Sequence, residues 1–232
     1  MKTAGIICEY DPFHLGHAWH IAATRQRLGE DCAVVCCMSG HWTQRADCAC
    51  ASKWRRAALA LAGGADLVIE LPLPWALSTA ERFAQGGTAT LAAAGVVDTL
   101  SFGSEAGDLA PLQAAAECLD TAAFRAALSL RLAEGTPFAA ARQAAAEACL
   151  GPAGSCLAHP NNNLGVEYLR AIQAQRLPLQ ALAIPRRGAQ HHSWEAHGGF
   201  ASATQIRRLL RSGARETATE LMPPGSLNTL GE

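Results

Sequence analysis

The chain has 232 residues, half of them hydrophobic, with 19 basic and 20 acidic side chains and a net charge of −1. That is enough apolar material for one large core, or for a domain with a small appendage. No apolar run approaches the roughly 20 residues that cross a bilayer, and Glu9 and Asp11 interrupt the first apolar stretch too early for a signal peptide, so the sequence reads as soluble and cytosolic.

Residues 3–8 read as a buried strand, 17–28 as a helix, and 32–38 as a second strand that Met38-Ser39-Gly40-His41 closes with a turn. Ser52 is a natural N-cap for a helix over 53–62, which Gly63-Gly64 ends. A third strand over 66–71 stops at Pro72 and Pro74. A helix over about 79–94 follows, and then a fourth strand over 96–102 that runs into Gly103-Ser104-Glu105. Residues 108–150 are alanine-rich with helical spacing, broken at Asp120-Thr121 and Gly135-Thr136-Pro137. They read as about three helices inserted over the sheet, there for packing. A turn-rich loop over 151–163 leads to a helix over 164–175 and a fifth strand over 179–184, which enters Pro185-Arg186-Arg187-Gly188. A last helix spans 202–211. Past it the chain turns polar, and residues 216–232, containing Pro223-Pro224-Gly225, are expected to form a loose tail.

Strands alternating with long helices indicate parallel βαβ units, and short continuous apolar strands suit a sheet covered on both faces. The expected fold is therefore α/β, a Rossmann-like doubly wound parallel sheet with an alanine-rich helical insertion. Residues 1–215 would form one domain. Ligands of such sheets sit beyond the carboxyl ends of the strands. The turns at His14–His17, Ser39–His41 and Phe102–Glu105 all fall at that edge.

Nine cysteines in a chain without an export signal read as free thiols. Cys36, Cys37, His41, Cys48 and Cys50 lie close together, but no CxxC pair occurs. Cys36 and Cys37 are adjacent in a strand and should face opposite ways, so no zinc site is expected.

The chemistry concentrates in Ile6 to Trp19, where an apolar run enters a turn holding His14 and His17 around Gly16, and a helix follows at once. A helix N-terminus offers unpaired N–H groups and partial positive charge to a phosphate. Gly16 lets backbone approach a ligand, and the imidazoles can donate to phosphate oxygens as charge builds. A second element is Ser202-Ala-Thr204-Gln-Ile-Arg207, with hydroxyls at a helix start and an arginine one turn on. Read alone, it is an N-cap before a basic helix. Between Arg170 and Arg215 there are eight arginines and one acid, Glu195, a balance that suits phosphates or nucleic acid.

These two elements resemble the nucleotidylyltransferase branch of the HIGH superfamily. Longer stretches are similar to the tRNA(Met) cytidine acetate ligase family: Gly5 to His17, Met38 to Arg45, Lys53-Trp54, Gly95 to Glu105, Pro160-Asn-Asn162, Leu164 to Leu169, Arg186-x-Gly-Ala189 and Ala201 to Arg207. The resemblance implies that acetate and ATP form acetyl-adenylate and pyrophosphate, and that the acetyl group passes to the wobble cytidine of elongator tRNA(Met). It implies catalytic roles for His14, His17, Ser202, Thr204 and Arg207. ATP contacts would fall on Ile7, Cys8, Glu9, Tyr10, Asp11, Pro12, Phe13, His14, Leu15, Gly16, His17, His20, Gly103, Asn161, Asn162, Arg186 and Arg187. Magnesium is an expected companion of ATP, although no carboxylate pair stands out as its ligand. Where the family usually has Asn before Pro-Phe-His, this chain has Asp11, and where it usually has Tyr-His-Asp this chain has His191-His192-Ser193. The family normally continues into a C-terminal region that helps hold tRNA.

Two alternatives stand beside this reading. One is a free-standing nucleotidylyltransferase with a basic acceptor pocket from Arg55, Arg56 and Arg186. The other is a non-catalytic nucleotide-sensing or tRNA-binding module.

Overall fold

The computed structural model describes residues 1–105, 107–186 and 200–231. Five strands form one parallel sheet: β1 (Thr3–Cys8), β2 (Ala33–Ser39), β3 (Leu67–Leu71), β4 (Thr99–Ser104) and β5 (Gln180–Pro185), in the order β3-β2-β1-β4-β5. Between them run α1 (Leu15–Leu28), α2 (Lys53–Ala62), α3 (Leu73–Ala76) and α4 (Ala80–Ala93). After β4 come α5 (Ala110–Leu119), α6 (Ala122–Ala133), α7 (Phe138–Leu150), a 3₁₀ segment (Gly151–Ala158) and α8 (Pro160–Ala174). The expected doubly wound sheet is the observed one.

Helices cover both faces. Cys37, Val35, Leu100 and Phe102 belong to a core shared with α4, α5 and α8, whereas Cys36, Val34, Ile6 and Met38 belong to the opposite one. Cys36 and Cys37 thus face opposite ways, as strand alternation requires.

Strand order reverses between β1 and β4. There the pairing is short, Ala4 with Thr99 and Gly5 with Leu100, while β1 stays paired with β2 through Cys8 and β4 with β5 through Ser104. Toward their carboxyl ends β1 and β4 therefore part company. This opening is where an open α/β sheet receives a ligand.

Three expectations are corrected. The run 151–163 is no open loop, because a 3₁₀ segment fills its first part and α8 begins at Pro160, whose fixed φ and missing N–H suit a first helical turn. Pro72 and Pro74 end β3 at Leu71 as expected, but the next helix does not wait until residue 79, since proline is tolerated in a first turn and the short α3 forms there. Nor is the tail loose. After α9 (Ala203–Arg211), α10 (Arg215–Glu220) and α11 (Ser226–Leu230) fold back, burying Ala218 and adding Leu221, Met222 and Leu230 to the second core. Arg55 Nη1 donates to the Leu230 carbonyl, fastening α11 to α2.

The alanine-rich cover also holds charge. Glu167 on α8, almost wholly buried, accepts from Arg142 Nη2 of α7 at 2.5 Å and from Arg170 Nη1 at 2.8 Å; Arg170 also pairs with Asp120 at 2.6 Å. Truncating Glu167 to alanine leaves Arg142 largely buried without its carboxylate. We expect Glu167→Ala to lower unfolding free energy in urea by about 3 kcal/mol. A loss below about 1 kcal/mol would place this network among ordinary surface pairs.

Candidate active site

The β1 carboxyl end leads through residues 9–14 into α1. Within this loop the aromatic side chains turn inward. Tyr10 and Phe13 are buried edge to face, ring centroids 4.9 Å apart, and the Tyr10 hydroxyl lies 3.4 Å from Cys36 Sγ. Phe13 packs where a Cβ on Gly63 would come within 2.3 Å of its ring, so the glycine after α2 also makes room for the loop. Ile7 packs against Gly87 of α4, and the Cys8 thiol, pushed up by burial, donates to the Cys37 carbonyl at 3.8 Å. Pro12, joined to Asp11 by a cis peptide, is buried as well.

His14 is the N-cap of α1. Its Nδ1 accepts the Gly16 N–H at 3.0 Å, and His17 Nδ1 accepts the His14 N–H at 3.3 Å, so two histidines perform a capping box. Because both Nδ1 atoms accept from backbone, both neutral rings carry their proton on Nε2. The rings stack with centroids 3.7 Å apart, and His17 also rests on Tyr10 at 4.7 Å. Gly16 is required by this arrangement, since a Cβ there would lie 2.9 Å from His14 Cε1.

This corrects the picture of a helix end with unpaired donors. Leu15 N–H donates to the Leu221 carbonyl at 3.2 Å, Gly16 N–H is taken by His14, and His17 N–H bonds the His14 carbonyl at 2.9 Å. The donors left for an anion are the imidazole Nε2–H groups, backed by the helix dipole.

One turn on, His20 Nε2 lies 3.0 Å from Ser101 Oγ, which is 2.7 Å from Thr24 Oγ1, tying α1 across the opening to β4. Burial, then the positive charge of Arg186, lowers His14 to about 3 and His20 to about 4. Burial, then His14, His20 and Arg186, holds His17 well below its ordinary value. All three are neutral at physiological pH.

Arg186 lies across the end of β4. Its N–H donates to the Ser104 carbonyl at 2.9 Å, and a Cβ on Gly103 would lie 3.3 Å from its Cγ. Its Nη1 donates to Asn161 Oδ1 at 2.5 Å. Asn161 Nδ2 donates to Glu105 Oε1 at 2.7 Å, while Asn162 N–H donates to Glu105 Oε2 and Asn162 Oδ1 accepts the Glu105 N–H, both at 3.2 Å. Glu105 thereby caps α8 and joins Asn161, Asn162 and Arg186 into one wall. Beside that wall, Ser104, Glu105, Asp108, His159 and Asn162 border a cavity of about 310 Å³.

Arg207 reaches the loop from the other side. Its Nη1 donates to the Asp11 carbonyl at 2.5 Å and pairs with Asp11 Oδ2 at 3.3 Å; its Nη2 donates to Thr204 Oγ1 at 3.3 Å. Asp11 Oδ1 accepts the Cys50 N–H at 2.6 Å. The charge of Asp11 is therefore matched by Arg207. Ser202 Oγ caps α9 by accepting the Gln205 N–H at 3.1 Å.

The structure thus joins His14, His17, His20 and Arg186 around the β1–β4 opening, with Gly103, Asn161 and Asn162 beside it. Ser202, Thr204 and Arg207 stand on the Asp11 side of the loop. Glu9 is mostly enclosed, its carboxyl raised by burial, and accepts the Gln44 N–H at 2.6 Å. Lys53 pairs with Glu70 at 2.6 Å. Arg187 and His191-His192-Ser193 lie outside the described residues. The basic acceptor pocket is not formed as expected, because Arg56 is fully buried and Arg55 holds the Leu230 carbonyl. Among the described residues no group of three or more His, Cys, Asp and Glu could hold a metal, and no helix is long and apolar enough to cross a membrane.

A family model described as HIGH Nucleotidyl Transferase matches residues 1–232. A tRNA(Met) cytidine acetate ligase of Syntrophotalea carbinolica is 44% identical, over 99% of this chain and 55% of its own length. One from Caldanaerobacter subterraneus subsp. tengcongensis is 39% identical over 99% and 58%. A crystal structure of Thermotoga maritima TmcAL bound with alpha-thio ATP superposes with a TM-score of 0.88 at 33% identity, covering 99% of this chain and 55% of that one. Its apo form gives 0.92 at 34% identity, with 99% and 56% covered. The chain spans little more than half the length of these relatives.

Proposed function

Because the chain belongs to the HIGH nucleotidyl transferase family, we propose that it is the ATP-using core of a tRNA(Met) cytidine acetate ligase. The observation that carries this is the stacked His14–His17 pair, with both Nδ1 atoms held by backbone donors, at the parting of β1 and β4. In the first step an acetate oxygen attacks the α-phosphorus of ATP, the bond to the β-phosphate bridging oxygen breaks, and pyrophosphate leaves. Acetate is a poor nucleophile, so positioning and stabilisation of the extra charge must supply most of the acceleration. The two Nε2–H groups and Arg186 meet that charge, with Asn161 orienting Arg186. Ser202, Thr204 and Arg207 complete the site from α9. In the second step the exocyclic amine of cytidine attacks the acetyl carbon, AMP departs, and the amine loses a proton.

Magnesium would accompany ATP. Both oxygens of Asp11 and both of Glu105 are already bonded within the protein, so these residues supply no ready ligand pair, and no step is routed through the ion. Residues 1–215 are the catalytic domain in this reading, with α10 and α11 supporting it. Elongator tRNA is the acceptor and the cytoplasm the place of work. A free-standing nucleotidylyltransferase loses support, since Arg55 and Arg56 are both engaged elsewhere.

The test is exchange of labelled pyrophosphate into ATP, with and without acetate and tRNA. Acetate-dependent exchange is the expected result. Exchange that ignores acetate but needs a phosphorylated acceptor would favour the transferase, and ATP binding without any exchange would point to a non-catalytic module.

A further inference from the structure

We infer that Arg56 is the positioning residue of the nucleotide loop. Its whole side chain is buried, and it heads the largest fully buried residues. Among the described residues it has no carboxylate ion-pair partner. Its donors instead go to four backbone carbonyls. Nε donates to Ala51 at 3.2 Å, Nη1 to Glu9, and Nη2 to Ser39 at 3.0 Å and to Gly40. Glu9 follows the last residue of β1, Ser39 ends β2, and Ala51 precedes the N-cap of α2. One guanidinium therefore locks the ends of two adjacent strands and the start of a helix.

Two further bonds tie the same parts together: Glu9 accepts the Gln44 N–H and Asp11 the Cys50 N–H, each at 2.6 Å. The segment 40–52 thus forms a frame for the loop carrying His14 and His17, and Arg56 is its centre. A second effect is electrostatic. Carbonyl oxygens at the ligand edge of a sheet repel phosphate, and a buried cation that draws four of them to itself removes that repulsion. Lysine cannot replace it, because three donors radiating from one point do not span the places that a planar five-donor fork reaches. Arg56 acts through the histidines and does not touch the reacting atoms.

The proposal rests on reading residues 7–17 as a nucleotide loop, and its test separates the two ideas. Long-range ¹H–¹⁵N spectra of the imidazoles report the Nδ1 acceptor state of His14 and His17 with no substrate present, and calorimetry gives ATP affinity without acetate. We expect Arg56→Lys to fold cooperatively, to shift both imidazole patterns, and to lower ATP affinity and exchange kcat by about tenfold or more each. Arg56→Ala should regain part of both losses when guanidinium is added well below denaturing concentrations. Unchanged imidazole spectra with unchanged affinity in Arg56→Lys overturn the proposal, as do losses that track only the unfolded fraction. Two unfolded variants that guanidinium does not refold would make Arg56 purely structural, which also overturns it. A wild-type protein that binds no ATP sinks the nucleotide reading, whereas the spectra alone decide the role of Arg56 in fixing the histidines.

Discussion

Replacing His17 with alanine leaves a folded protein in which acetate-dependent pyrophosphate exchange is at least about 100-fold slower. The magnitude is that of losing one preorganised donor to developing charge. The fold survives because His17 makes only the weaker half of the α1 cap, a 3.3 Å bond from the His14 N–H, while the 3.0 Å bond from Gly16 to His14 remains. Losing a capping partner costs about 1 kcal/mol. The two jobs of His17 can be told apart with His17→Gln. Glutamine is a favoured third residue of a capping box, its carbonyl able to take the His14 N–H, so stability should return to the wild-type value while the rate stays low. Urea unfolding and exchange kinetics on the three proteins check both statements. A His17→Ala protein with wild-type kcat removes the imidazole pair from the chemistry.

The loop that bears this prediction was the most legible part of the chain. His14, Gly16 and His17 lie within four residues, directly after an apolar strand, so their meeting follows from local geometry. The strands were legible for a similar reason, since all are short apolar runs and all but β1 are closed by Gly, Pro or Ser. What escaped was whatever depends on distance or on backbone. The Asp11–Arg207 contact joins residues 196 apart in sequence, and nothing in either segment announces the other; from sequence, Asp11 only adds negative charge beside the phosphate site. Arg56 sits beside Arg55 in a helix start and reads as part of a basic acceptor pocket, because its partners are carbonyls and carbonyls leave no trace in a sequence. The tail misled by composition. Its helices have six and five residues, too few for a periodic pattern, and its Pro-Pro-Gly reads as punctuation. Yet Leu221, Met222 and Leu230 supply apolar surface to the second core, and the Leu221 carbonyl occupies the first N–H of α1. Pro160 was the available signal for the start of α8, outweighed by the asparagines that follow it.

Lowering the pH should weaken this site from within. In the unfolded chain each histidine titrates near 6.5. In the folded protein His14 is held down to about 3 and His20 to about 4, by burial and then Arg186, and His17 lies well below its ordinary value. Between those limits the unfolded chain binds protons that the folded chain refuses. Stability from these groups is therefore fully present above about pH 6.5 and is lost as pH falls toward 4 and then 3. His14 and His20 each contribute about 1.4 kcal/mol per pH unit in that window. His14 and His20 together, over two units, remove on the order of 5 kcal/mol at most, which is comparable with the whole stability of a marginal domain, and His17 acts in the same direction. The α1 N-terminus should open first, because Gly16 and His14 lose their Nδ1 acceptors as soon as the rings take a second proton. Urea midpoints between about pH 7.5 and 5 should fall steeply for the wild type and less steeply for His20→Gln. Bound ATP should oppose the fall, because it binds the folded site and not the unfolded chain. Stability that stays flat from about pH 7 to 5 would mean that the rings are solvated, and the stacked, backbone-held pair would lose its claim to be preorganised.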